Sequence, residues 1–333
     1  MQHGVTRKRA RTVLGGLAVV TLTATACGGD DEGGGSGGGG DDAGGGLTTI
    51  NIGTLPTSNA AAMYLGMQEG FFEEEGLQVE PTVQQSGNEI ITGMVSGDFD
   101  FGFIGYISTG IAASQGVPVC VVTAADATGT SAEDDWQVIV AAGDSPLNGV
   151  QDLAGATIGI NALGGVAEVM TKAVLDQAGV DPNSVELLEI PFPEVPAAIA
   201  AGRIDAGYTA EPFVTQTLDQ GGKVVVAPGP EIAPEFPNGN YSASQQTFQS
   251  DPDLVERFTA AMDRSTEFAA ENPDAVREII PTYTQIPEEL ASRIRLPVYT
   301  AELDEEAIDQ QMGFLEQYTD VGEVPSSDEL ICG

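Results

Sequence analysis

Residues Thr48 to Glu80 read TTINIGTLPTSNAAAMYLGMQEGFFEEEGLQVE, and the order of patterns inside them decides the fold. Thr48 to Leu55 alternates apolar and polar residues as a short strand does, and Pro56 stops it. Thr57, Ser58 and Asn59 follow, all good residues for starting a helix. Met63, Tyr64, Met67 and Phe71 then fall on one helical face, Gly76 supplies a stop, and Leu77 to Val83 alternates again. This is a βαβ unit. In such a unit the loop between strand and helix exposes backbone N–H groups beside small polar side chains, so it can hold a polar or anionic group. Plain helix capping accounts for Thr57-Ser58-Asn59 equally well.

The pattern continues along the chain. A helix over Asn88 to Ser96 precedes a strand at Phe99 to Gly102, and a helix over Ser108 to Gln115 precedes strands at Val117 to Thr123 and Gln137 to Ala142. Gly149 to Ala227 forms a smaller repeat of the same alternation. Its strands are at Thr157 to Ile160, Val185 to Ile190, Ala206 to Thr209 and Lys223 to Ala227, and its helices start near Gly165, Glu194 and Pro212. Tyr241 to Thr247 reads as a strand returning to the first unit. Helices then follow at Pro252 to Ala270, Pro273 to Tyr283, Pro287 to Arg295 and Glu305 to Tyr318. Alternating strands and helices define an α/β protein with mostly parallel sheets. The 287 residues from Leu47 suit two lobes, residues 47–142 with 228–333 and residues 143–227. The chain then crosses between lobes twice, near Ala141 to Asp144 and near Val226 to Pro228, which makes a hinge.

Four segments in this order carry a family resemblance: EGFFEEEGLQVE, SGNEIITGMVSGDFDFGFIG, DSPLNGVQDLAGATIGIN (Asp144 to Asn161) and VPAAIAAGRIDAGYTAEPF (Val195 to Phe213). The chain resembles the solute-binding proteins of ABC importers of the nitrate, sulfonate, taurine and thiamine-precursor group, over about Ile50 to Leu330. The resemblance implies a two-lobed type II periplasmic-binding fold, a small-molecule ligand, and an ABC permease with its ATPase as partner. It implies a monomer that binds and releases, with no catalysis and no cofactor. A sensory receptor, or a desulfinase-type enzyme using Cys120, are the alternatives on the same fold.

The N-terminus sets the expected location. Met1 to Ala26 carries Arg7, Lys8, Arg9 and Arg11, then an apolar run from Val13 to Val20, as in a secretory signal. That run is too short to span a bilayer. Ala24-Thr25-Ala26-Cys27 resembles a lipoprotein cleavage box, with Ala24 in place of the usual Leu, and implies lipid on Cys27 and anchoring to the outer face of the cell membrane. Residues 27–46 are the expected tether: from Gly28 on, 12 of 19 residues are Gly and 5 are acidic. As a flexible coil this reaches about 25 Å.

Composition excludes several classes of function. The formal net charge is −38, and removal of the signal leaves −42. Nucleic-acid binding needs clustered Lys and Arg and is excluded. Such acidity suits solubility in high salt. The one histidine, His3, lies in the signal. Ser-His-Asp and Cys-His pairs and His-based metal sites are therefore out of reach for the mature chain, and no metal is expected. Cys120 lies in a strand expected to be buried, and Cys332 is penultimate. They remain open as a small apolar residue and a free thiol, or as a disulfide tying the tail to the first lobe.

Ligands of two-lobed α/β receptors sit in the crevice at the C-terminal ends of strands. The candidate loops are Thr57-Ser58-Asn59, Ser86-Gly87-Asn88 and Gly105-Tyr106 in the first lobe. In the second they are Asn161 to Gly165 and Tyr208 to Glu211. Gly164 and Gly165 precede a helix and allow close backbone approach to a ligand oxygen, although an ordinary tight turn needs the same glycines. Tyr106, Tyr208 and Trp136 are candidates for stacking on a flat ligand or for packing. The resemblance implies that Glu211 borders the ligand; capping of a helix start is its other reading. No Lys or Arg occurs between Arg11 and Lys172, so the first lobe must hold any anion with helix N-termini, hydroxyls and amides. The nitrate-type members of the resembled group use Lys and His near the site, and some thiamine-precursor binders have His where this chain has Ala60. The chain's residues therefore favour a sulfonate, or a neutral or cationic heteroaromatic near Glu211.

Overall fold

The computed structural model describes residues 46–333. The expected signal, the expected lipidation residue Cys27 and all of the expected tether but Gly46 lie outside the described residues. Among the described residues eleven strands make two sheets. β1 (Thr48–Thr54), β2 (Leu77–Val83), β3 (Phe101–Gly105), β4 (Val119–Ala127), β10 (Pro237–Ser244) and β11 (Val298–Tyr299) form the first, in the order β11-β4-β10-β3-β1-β2. β5 (Gln137–Ala141), β6 (Thr157–Ile160), β7 (Glu186–Glu189), β8 (Ala206–Ala210) and β9 (Lys223–Val226) form the second, in the order β7-β6-β8-β5-β9.

The opening βαβ unit folds as its sequence reads. β1 buries Ile50 and Ile52 and pairs in parallel with β2 from Thr48 against Leu77 to Thr54 against Val83. The helix between them is broken at Gly70, whose φ of 82° ends Ala61–Glu69 before the turn Phe71–Glu74. A long helix, Pro252–Glu271, lies over the unit and buries Leu254, Val255, Phe258, Ala261 and Met262. Gly66 lets the two helices meet, since a Cβ there would collide with Ser265. Phe258 stacks on Phe101 at 3.8 Å between ring centroids.

Each sheet contains a strand that reverses the parallel pattern. β10 runs antiparallel between β3 and β4, and β5 runs antiparallel between β8 and β9. The place of β5 corrects the sequence reading, which put Gln137 to Ala142 in the first lobe. All five of its residues are buried, so the pattern marks a central strand without saying of which sheet. The chain passes from the first sheet to the second through residues 128–136, before β5 rather than at Ala141 to Asp144. It returns through residues 227–236, which include the short helix Pro228–Ile232.

Other boundaries shift for local reasons. Ser244 caps the helix Gln245–Ser250 by accepting the Thr247 N–H at 3.0 Å, so the strand expected to reach Thr247 ends at Ser244 and begins earlier, at Pro237. Pro281 divides the helix expected over Pro273 to Tyr283. Only Glu288–Ala291 is helical in the segment expected to run to Arg295. Cys120 and Cys332 form a disulfide with Cα atoms 5.0 Å apart, which decides between the two readings of that pair. The Cys332 N–H also donates to the Val121 carbonyl at 2.8 Å, and Leu330 is fully buried, so the tail is held on β4. Among the described residues no helix is long and apolar enough to cross a membrane.

Candidate functional site

A cleft lies between the two sheets and collects the loops at their facing ends. From the first sheet it is lined by Leu55, Thr57 and Asn59 after β1, Gly87 and Asn88, Gly105 and Ser108 after β3, and Asn238 and Gly239. From the second it is lined by Trp136 and Gln137, Asn161 and Ala162 after β6, Gly165, Val166, Ala167, Phe192 and Tyr208. Its interior cavity is about 50 Å³, room for a few waters or one small group. The two sides touch. The Asn88 side-chain amide donates to the Leu163 carbonyl at 3.2 Å, and the Ser58 N–H donates to the Glu211 carbonyl at 2.9 Å.

Three helices aim their N-termini at this cleft: Gly87–Ser96, Tyr106–Ser114 and Val166–Gln177. The first N–H groups of a helix have no acceptor within it, and the aligned peptide dipoles add partial positive charge there. Among the described residues no charged side chain lines the cleft. Five carboxamides do (Asn59, Asn88, Gln137, Asn161 and Asn238), with the aromatic rings of Phe103, Trp136, Phe192 and Tyr208. The site is neutral in formal charge, rich in N–H donors and flanked by flat apolar surface.

Two buried carboxylates stand behind the walls. Asp126, on β4, is 1% exposed. Its two oxygens accept the amides of Asn59 and Asn238, each at 3.0 Å. Burial pushes its pKa up to about 7 against the lowering effect of these bonds. Asp135 is fully buried beside Trp136; one oxygen accepts the Gly129 and Trp136 N–H groups at 3.0 Å, and the other has no partner. Burial lifts it to about 7 as well. The Tyr208 hydroxyl donates to Gln137 Oε1 at 2.9 Å, and burial holds its phenol well above the usual value.

Seven of the eleven residues expected at the ligand line the cleft: Thr57, Asn59, Gly87, Asn88, Asn161, Gly165 and Tyr208. Four do not. Ser58 is buried, with its carbonyl accepting the Tyr299 hydroxyl at 2.7 Å. Tyr106 turns into the apolar core. Gly164 turns away to a surface depression beside Glu168 and Lys172, and its N–H donates to Glu168 at 2.9 Å. Glu211 is buried; its carboxylate accepts the Thr215 N–H and hydroxyl at 3.0 and 2.8 Å and the Arg295 N–H at 3.2 Å. It holds a helix start and the distant loop segment at Arg295 together.

Trp136, Gln137, Asn238 and Gly239 share one property. They lie at the N-terminal ends of β5 and β10, the two antiparallel central strands. A search of strand C-termini passes over such positions. The polar run Asn238-Gly239-Asn240 before the apolar part of β10 is the signal that could have found the second pair.

Two α/β sheets with a cleft between them, joined by two crossings, define the architecture of periplasmic solute-binding proteins. The chain belongs to the NMT1/THI5-like family, whose model matches residues 57–276. It is similar to the binding protein YtlA of Bacillus subtilis, 25% identical over 225 residues, or 66% of each chain. It is 29% identical to the taurine-binding periplasmic protein of Escherichia coli over 169 residues, 51% of this chain and 50% of that protein. The matches thus span about half to two thirds of these relatives. Among solved structures, the alkanesulfonate-binding protein SsuA of Xanthomonas axonopodis bound to MOPS superposes with a TM-score of 0.70 at 18% identity, covering 82% of this chain and 93% of that one.

Proposed function

We propose that the chain is the extracytoplasmic capture component of an ABC importer, anchored through lipid on Cys27. In this reading it closes over a small organic solute bearing a sulfonate-like oxyanion and delivers it to a permease driven by its ATPase. The observation that carries the reading is the convergence of three helix N-termini on a cleft without charged side chains. Such a site holds an oxyanion with N–H groups and dipoles alone. The sulfonate and taurine relatives and the Cys120–Cys332 disulfide, a bond of oxidising compartments, support it. Thr57, Asn59, Asn88, Asn161, Gly165 and Tyr208 are the residues assigned to the ligand, and no turnover is involved.

A second reading, a flat heteroaromatic solute, is favoured by the four aromatic rings of the lining. A thermal-shift panel separates the two. A solute at a hundred times its Kd stabilises by about 2.7 kcal/mol, a shift of several degrees. Short alkanesulfonates should give this shift, and Asn161→Leu, which fills the cleft, should abolish it. A response confined to pyrimidines or indoles would replace the first reading with the second.

A further inference from the structure

The end of the chain is seated on the side of the first sheet and reaches across to the second. The helix Glu305–Tyr318 buries Ile308, Met312 and Leu315. Gly110 lets it settle on the helix Tyr106–Ser114, since a Cβ there would collide with Met312 and Leu315. Gln311 donates to the Pro237 carbonyl of β10 at 2.8 Å, and the Cys120–Cys332 disulfide fastens the tail beyond to β4. The last turn then meets the helix Val166–Gln177, which follows β6 of the second sheet. One oxygen of Asp176 accepts the Gln317 amide and the Tyr318 hydroxyl at 2.8 and 2.9 Å. The Lys172 ammonium donates to the Tyr318 carbonyl at 3.2 Å. Carbonyls at a helix C-terminus lack partners within the helix and carry partial negative charge. Leu315 to Tyr318 includes no Lys or Arg, so a cation from the other side of the molecule supplies the cap.

The hold continues from Lys172 toward the cleft. Lys172 also donates to Glu168 Oε1 at 2.6 Å, and Glu168 Oε2 accepts the Gly164 N–H at 2.9 Å. The two charged side chains are 17% and 16% exposed, so salt screens them less than a surface pair. Gly164 takes a left-handed φ of 64°, and the next residue, Gly165, lines the cleft at the start of the same helix.

We propose that the C-terminal segment is a strap that positions the cleft loop Asn161 to Gly165, with Lys172 and Glu168 as positioning residues that carry its hold from Tyr318 to Gly164. The last turn of the strap fixes where the ammonium sits, the ammonium fixes the Glu168 carboxylate, and the carboxylate fixes the turn before Gly165. Neither Lys172 nor Glu168 lines the cleft, so both act through the loop rather than on a solute. The inference goes beyond the capture reading and requires no particular solute.

Residue-resolved hydrogen exchange of the solute-free protein tests it. The Gly164 N–H reports on the loop, and the Ile50 and Ile52 amides of β1 report on global stability. Lys172→Met should speed exchange at Gly164 by about tenfold, the scale of one hydrogen bond to a charged group, and leave β1 unmoved. Lys172→Arg keeps the cation and should restore most of the protection. Tyr318→Ala frays the strap where Lys172 holds it and should speed exchange at Gly164 in the same direction. A response to Lys172→Met without one to Tyr318→Ala would reduce the relay to an ion pair within one helix and overturn the strap. Equal acceleration of Gly164 and β1 would report loss of global stability and overturn it as well, as would an unchanged Gly164 in both variants.

Discussion

At the scale of single residues, burial and hydrogen bonding pull Asp126 in opposite directions. Its folded-state pKa of about 7 lies above that of an exposed aspartate, because desolvation outweighs the bonds from Asn238, Asn59 and Gly239. The folded chain therefore holds this proton more tightly than the unfolded chain. The resulting stabilisation is complete in acid and is lost as pH rises through about 7. Asparagine does not titrate, so Asp126→Asn should gain on the wild-type protein between pH 5 and pH 8, by about 1 kcal/mol or more in urea denaturation. A pH-independent difference would mean that the carboxylate is ionised at little cost. Residue types alone showed the helix-start amides and hydroxyls, and Thr57, Asn59, Asn88 and Asn161 proved to line the cleft. They did not separate Asn59 from Ser58, its neighbour, because that depends on which way a one-turn helix faces. The family resemblance pointed to Glu211 at the ligand, but its carboxylate is consumed by Thr215 and Arg295.

At the scale of elements, the parallel βαβ units were legible because each pairs a period of two with a period of 3.6, and β1 and β2 pair in parallel as such a unit requires. The antiparallel strands were not. A strand buried on both faces, like β5, carries no mark of direction or of sheet; β5 opens the second sheet, and β10 returns to the first after the whole of the second has been laid down. The same ambiguity hid Gln137 and Asn238 from the site. The C-terminal tail is another element whose partner lies far away, 212 residues from Cys332 to Cys120. Closing so long a loop stabilises by roughly 2–5 kcal/mol, largely by restricting the unfolded chain. Cys332→Ser should unfold at lower urea than the wild-type protein by that margin. Reductant should bring the wild-type protein down to the variant and leave the variant unmoved; equal midpoints without reductant would contradict the bridge.

At the scale of the molecule, both polar bonds and apolar packing join the two sides. Asn88 reaches Leu163, Ser58 reaches Glu211, and Arg293 forms a two-pronged pair with Asp219 at 2.9 and 2.7 Å. The Arg293 pair is half exposed, and exposed pairs contribute little. One buried apolar cluster also joins the two sides, running from Tyr106 and Ile111 through Ala167 and Met170 to Met312 and Leu315, so opening of the lobes would part apolar as well as polar contacts, and a ligand held by both sides would add attraction to the closed form. The chain's one tryptophan, Trp136, sits on the crossing into β5, is 1% exposed and lines the cleft. That placement makes the central claim directly readable. Intrinsic fluorescence should be followed while a short alkanesulfonate is titrated in, with calorimetry of the same titration giving Kd. The account predicts a saturable change in tryptophan emission whose midpoint matches the calorimetric Kd. Calorimetric binding that leaves the emission untouched would place the ligand elsewhere and contradict capture in this cleft.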